Sequence, residues 1–161
     1  MAHTTRPGAL RRIGDRLRSW WQRRQGRFAV DQPAQAGWHG RGGHAGHRRG
    51  WRAERYAAAR LMSLGYQVLE RNVPAGRGEI DIVAQQGDRL VFVEVKSGKY
   101  DPDYPPRGRV NADKRRSLLD CGEVYIKRRR LGDVRYGFAV AEVIVDQRGR
   151  PQSFEIFEGL K

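Results

Sequence analysis

Apolar and polar residues alternate most clearly in two runs. One is Gly78-Glu79-Ile80-Asp81-Ile82-Val83-Ala84, and the other is Leu90-Val91-Phe92-Val93-Glu94-Val95-Lys96. Both are rich in β-branched residues and alternate at their outer ends, which predicts strands. Gln86-Gly87-Asp88-Arg89 between them reads as a turn. With Gly87 and Asp88 as a two-residue loop, Gly87 supplies the positive φ of a type II′ hairpin. Gln86 then pairs with Arg89 and Ala84 with Val91, and Asp81 lies opposite Glu94. Side chains alternate along a strand, so Ile80, Ile82, Val91, Val93 and Val95 share one apolar, buried face. Asp81, Glu94 and Lys96 share the other.

Helical spacing appears twice. Ala53, Ala57, Leu61 and Leu64 recur over residues 51–64, and Gly65 is a natural stop. A second helix follows Asn111, a good N-cap, with Asp113 in its first turn. It is expected to bury Leu118, Leu119, Gly122, Tyr125 and Ile126 and to close on Lys127-Arg128-Arg129-Arg130. Tyr66–Arg71 predicts a first strand and residues 72–78 a loop. Ser97–Arg109, with three prolines, predicts a long loop, Arg135–Val145 a long strand and Gln152–Phe157 a short edge strand. The order of elements is α/β, with the antiparallel hairpin at the centre of a mixed sheet.

Composition sharpens this picture. At 161 residues the chain suffices for one domain and one core. Lysine and arginine outnumber acids 32 to 18, a net charge of +14, which points to nucleic acid or an anionic membrane surface. Residues 1–52 carry 12 arginines and 2 acids, so +10; the remaining +4 is spread over residues 53–161. Residues 1–48 therefore read as a basic, disordered extension and linker ahead of a domain over 49–161. Within the extension Leu10, Ile13, Leu17, Trp20 and Trp21 recur at helical spacing among arginines. From Gln32 to Gly50 the composition turns to Gly, Pro, Ala and His, a flexible linker. Its His39, His44 and His47 match no standard metal spacing. The single cysteine, Cys121, reads as a small core residue. No run approaches the ~20 apolar residues that span a bilayer, and the expected location is cytoplasmic.

Two carboxylates on directly paired residues would sit with Cβ atoms about 5 Å apart. They repel, and a divalent cation between them removes that cost. Oxygen ligands of this kind suit magnesium, which takes one or two carboxylates plus substrate phosphate. An ammonium beside them, Lys96, can orient a water and stabilise charge on a phosphate. The plain alternative is a cross-strand ion pair on a solvated sheet face. In the loop after Lys96, Tyr100 and Tyr104 could stack on bases, and Lys99, Arg107 and Arg109 could meet phosphates. A phosphate backbone lying across the hairpin would also find Lys114, Arg115 and Arg116.

Asp81, twelve residues, then Glu94-x-Lys96 resembles the signature of the PD-(D/E)xK nuclease superfamily. The fuller set is Gly50, Glu54 and Ala57, Leu64-Gly65-Tyr66, Arg71-Asn72-Val73, Gly78-Glu79-Ile80-Asp81, Val91–Lys96 and Lys114-Arg115-Arg116. It is similar to the YraN-type bacterial proteins, predicted endonuclease-like chains related to Holliday-junction resolvases. The resemblance covers roughly residues 50 to 145. It implies a restriction-endonuclease-like three-layer core and metal-dependent cleavage of nucleic-acid phosphodiester bonds, with branched DNA as one expected substrate. It implies Glu54 as a further acid beside Asp81 and Glu94 in holding magnesium or manganese, Lys96 as the catalytic lysine and Lys114 as a substrate contact. A homodimer is expected only because the resolvase relatives are dimers. Ala139 departs from the pattern, which usually has aspartate after the phenylalanine. Two other readings stay open: a non-catalytic nucleic-acid-binding module of the same fold, and a peripheral adaptor using its arginine-rich tail.

Overall fold

The computed structural model describes residues 44–103, 106 and 112–159. Two helices, α1 (His44–Ser63) and α2 (Ala112–Arg129), cover a five-stranded sheet. Its strands are β1 (Gln67–Ala75), β2 (Gly78–Gln86), β3 (Arg89–Gly98), β4 (Arg135–Val145) and β5 (Pro151–Glu158). They lie side by side in chain order. All neighbours are antiparallel except β3 and β4, which run parallel and are joined through α2. A parallel pair needs such a crossover because a tight turn cannot reverse the chain twice.

Each helix buries one face of the sheet, giving three layers. On the α1 side, Ala53, Ala57, Ala58 and Leu61 pack on Ile82, Ala84, Val91, Val93, Ala139, Ala141 and Val143. On the α2 side, Leu118, Cys121 and Tyr125 pack on Val83, Leu90, Phe92 and Phe138. Small alanines let α1 lie close to the sheet. On the other side Gly122 performs that role: a Cβ there would meet Phe92 carbons at 2.9 Å and Phe138 at 3.1 Å. Glu70 ties α2 down further, accepting from the Tyr125 hydroxyl at 2.7 Å and from the Arg129 guanidinium at 2.6 Å. Burial and that carboxylate hold the Tyr125 phenol well above its usual range. Cys121 is buried as expected, its thiol donating to the Ala75 carbonyl at 3.0 Å.

The hairpin forms in the expected register, with Gln86 on Arg89 and Ala84 on Val91. Gly87 has φ 60°, and Asp88 is not among the residues at positive φ, as a type II′ turn requires.

Several boundaries differ from the sequence reading. Helix α1 begins at His44, six residues ahead of Gly50, where composition suggested linker. A helix held by packing over its later turns extends backward at little cost, because propagation is cheaper than nucleation. Residues 72–75 are strand, and the turn to β2 is only Gly76-Arg77. Pro74 is accommodated because β1 is an edge strand, where a missing N–H breaks no ladder on the outer side. Leu119, expected in the core, is 40% exposed; Cys121 takes its place on the buried stripe. The basic helix proposed for Leu10–Trp21, the linker through position 43, Tyr104 and Asn111 lie outside the described residues.

Candidate functional site

The β1–β2 ribbon changes face at Asn72 and Asp81, and the site is built there. Val68, Ile82 and Ala84 pack on the α1 side, but Val73 and Ile80 join the α2 cluster. Ile80 therefore does not share the face of Ile82, as simple alternation predicted. The cause lies in β1. Asn72 has φ 51°, left-handed backbone that interrupts the pleat. It stands opposite Asp81, since Arg71 pairs with Ile82 and Val73 with Ile80. Beyond this kink the ribbon folds over α2, where Gly78 is close enough for an added Cβ to meet the Cys121 sulfur at 3.2 Å.

As the ribbon turns away, β2 parts from β3. Their pairing ends at Ile82 with Val93, so Asp81 and Glu94 stand at the mouth of a fork. The opening leaves the Val95 N–H without a strand partner, and the Asp81 carboxylate accepts it at 2.7 Å. One acid is thus fixed against the strand that carries the other.

Glu94 is buried, and its carboxylate is held by two lysines. Lys96 Nζ lies 2.5 Å from Oε1 and Lys114 Nζ 3.1 Å from Oε2. Lys96 thus answers one oxygen of Glu94 by a hydrogen bond and Lys114 the other by an ion pair.

The remaining acids are felt through their fields. Asp81 keeps partial contact with solvent, yet its carboxyl is pushed up to about 7 by burial and then by Glu94, with Glu54 adding to the rise. The Val95 N–H and Lys114 act the other way. Glu54, on α1, is also raised, first by burial and then by Glu79 and Glu94, against a hydrogen bond from Asn72 and the charge of Arg71. Lys114 is raised because the attraction of Glu94 and Asp81 outweighs its desolvation. Asp81, Glu94, Glu54, Lys96 and Lys114 therefore form one electrostatic unit at the fork, reached from both faces of the sheet.

The other expected residues are placed less closely. Arg115 is half-buried in the opening turns of α2, next to Lys114. Lys99 is exposed just past the end of β3. Arg107 and Arg109 lie outside the described residues. Among the described residues, no group of three acids, histidines or cysteines is already gathered as a ligand set, so Glu54 stands near the pair without completing a cage. Ala139 pairs with Val93 and is fully buried on the α1 side, facing away from Glu94 and Lys96. Its lack of a carboxylate thus removes nothing from the face that carries them.

Asn72 was not singled out for the site by sequence, although it lies in the matched Arg71-Asn72-Val73 segment. Its signal was local: asparagine is the residue, after glycine, that best tolerates left-handed backbone.

The model of the family described as "Uncharacterised protein family UPF0102" matches residues 53–145, which include the fork and both helices' contacts to it. The UPF0102 protein of Moorella thermoacetica is 38% identical over 112 residues, 70% of this chain and 93% of its own length. That of Thermotoga neapolitana is 39% identical over 112 residues, 68% of this chain and 95% of its own. That of Kosmotoga olearia is 48% identical over 80 residues, 50% of this chain and 68% of its own. The chain belongs to the UPF0102, or YraN, family, a group related to PD-(D/E)xK nucleases.

Proposed function

We propose that the protein is a metal-dependent nuclease that hydrolyses phosphodiester bonds in nucleic acid at the fork between β2 and β3. The observation that carries this is the placement of Asp81 and Glu94 at the point where the strands part, with Asp81 bonded to the Val95 N–H and Lys96 bonded to Glu94 at 2.5 Å. Two acids set at one point repel one another, an arrangement that costs stability and is relieved by a divalent ion.

Asp81 and Glu94 are the residues that would hold magnesium or manganese, with Glu54 contributing from α1. The donors are all carboxylate oxygens, which fits these hard cations. When bound, such an ion supplies Lewis-acid stabilisation of the phosphate and a more acidic water. The chain's own groups do the rest. Lys96, beside Glu94, holds the attacking water by hydrogen bond and places positive charge against the phosphate as charge builds. Lys114, with Arg115 behind it, meets the phosphate backbone and orients it across the fork. The Val95 N–H keeps Asp81 turned into the site. DNA is favoured over RNA as substrate by the likeness to resolvases alone.

The test is cleavage of branched, flapped and single-stranded DNA, with magnesium and with a chelator. Wild-type protein should cleave at least one substrate only with metal, and Lys96→Ala should lose about 100-fold or more in rate, the scale of one preorganised group. Cleavage that ignores the chelator, or is the same in Lys96→Ala, would contradict the proposal.

One observation favours a second reading. Both oxygens of Glu94 are already answered by lysines, which neutralises it without a metal. If that clamp never releases, the fold is a non-catalytic nucleic-acid-binding module. Salt-sensitive binding with no turnover on any substrate would mark that case.

A further inference from the structure

A second basic feature lies on the same end of the sheet. Trp51, Arg52, Arg55, Arg150 and Pro151 line a pocket of about 410 Å³ where the middle of α1 meets the β4–β5 turn. Its walls expose apolar atoms almost entirely, although three of its five residues are arginines. Trp51 is 40% exposed, and the Arg55 guanidinium rests 4.7 Å from the centre of its ring. Arg52 is exposed, and Arg150 has one acidic neighbour at the limit of ion pairing, Asp146 at 4.0 Å.

An i, i+4 Trp–Arg pair alone would be ordinary helix surface. Two things set this one apart. The third arginine comes from a different element, so the positive charge at the pocket does not merely lie along one helix. The pocket is also close to the fork. Trp51 and Glu54 are three residues apart on α1, neighbours on its surface. Across the sheet, Lys96 pairs with Glu142, three residues before the end of β4, roughly 10 Å from the turn that carries Arg150 at 3.3 Å per residue.

We propose that this pocket binds one unpaired nucleotide, its base stacked on Trp51 and its flanking phosphates held by Arg52, Arg55 and Arg150. A flat apolar wall ringed by guanidinium groups fits a base with phosphates on either side. A paired base buries its faces in its neighbours and cannot enter, so the pocket selects nucleic acid with a strand free near the cleaved bond. This rests on the reading of the fork as a nucleic-acid site and narrows its substrate to flaps and single strands.

The test is fluorescence anisotropy on the full chain, with a chelator present so that no cleavage occurs. The probes are a short labelled oligothymidylate and a blunt duplex of equal length. Trp51→Ala should weaken single-strand binding about tenfold or more, the scale of one lost stack. Duplex binding should change less than about twofold, on the same scale. Trp51→Phe keeps a ring and should recover most of the loss, which separates stacking from damage to the fold. Arg150→Gln should lower the salt slope of single-strand binding by about one. Single-strand affinity unchanged in Trp51→Ala, or equal losses on both probes, would overturn the proposal. Because binding is read without metal, a protein that never cleaves can still show the Trp51 effect, so failure of the nuclease reading and failure of the pocket remain distinct results.

Discussion

Asp81 carries the conflict on which the site depends. Its carboxyl rises from 3.8 to about 7 because burial and Glu94 both penalise its charge. The sign of the stability effect follows. In the metal-free protein the folded state holds a proton that the unfolded chain gives up near 3.8, so Asp81's favourable contribution is complete below that value. It is lost as pH rises toward 7, and above that the charged acid is a standing cost. Asp81→Asn keeps an acceptor for the Val95 N–H and removes the charge. At pH 8 without metal it should therefore stabilise the protein by roughly 1–2 kcal/mol, the common gain when a functional compromise is relieved. Thermal melts at pH 5 and pH 8 check this: the gain should appear at the higher pH and shrink at the lower. Asn72 makes the opposite case. At φ 51° a β-branched residue is strained, so Asn72→Val should cost about 1–3 kcal/mol. Asn72→Gly should be tolerated better by the backbone while removing the hydrogen bond to Glu54. Denaturant unfolding of the two variants distinguishes backbone strain from loss of the side chain.

The elements owe their positions to close approach. Gly122 costs helix propensity, yet an alanine there would press on the Phe92 and Phe138 rings. Because Phe92 is fully buried and edge-on to Tyr125, it has little room to yield. Gly122→Ala should destabilise by about 1–3 kcal/mol, as overpacked cores do. It should also lift α2 enough to lengthen the Lys114–Glu94 pair, which a crystal structure of the variant would show. Legibility at this scale followed the strength of local signals. The β2–β3 hairpin was readable because two β-branched runs flank a glycine turn, and its register then fixed which side chains share a face. The ends of β1 and α1 were not. Pro74 and Gly76 read as loop because nothing local says that β1 is an edge strand. His44–Gly50 reads as linker because its glycines outweigh a helix that later packing holds in place. The Lys114–Glu94 pair was also hidden, since it depends on where α2 lands after a crossover of more than a dozen residues.

For the whole molecule, the three layers and the meeting of Asp81 with Glu94 at one end of the hairpin could be anticipated, because the hairpin pattern and the family signature agree. What alternation could not show was the kink at Asn72 and Asp81. Face alternation assumes a regular strand, and here one left-handed residue swings Ile80 to the opposite cluster. That irregularity opens the fork, so the departure from pattern and the site coincide. Charge is distributed at the same scale. Residues 1–52 carry +10 of the net +14. Removing residues 1–48 should weaken nucleic-acid affinity and lower its salt dependence while leaving cleavage per bound substrate intact. Single-turnover cleavage at saturating protein separates the two effects. Loss of all binding on that deletion, with no cleavage by the intact chain, would favour a tail-dependent adaptor. Among the described residues no helix is long and apolar enough to cross a membrane.

The most direct measurement is calorimetric titration of manganese into the full chain at pH 8, comparing wild type with Asp81→Asn and Glu94→Gln. A metal-binding fork predicts saturable binding near one ion per fork in the wild type and none at comparable concentration in either variant. Indistinguishable titrations for the three proteins would contradict it.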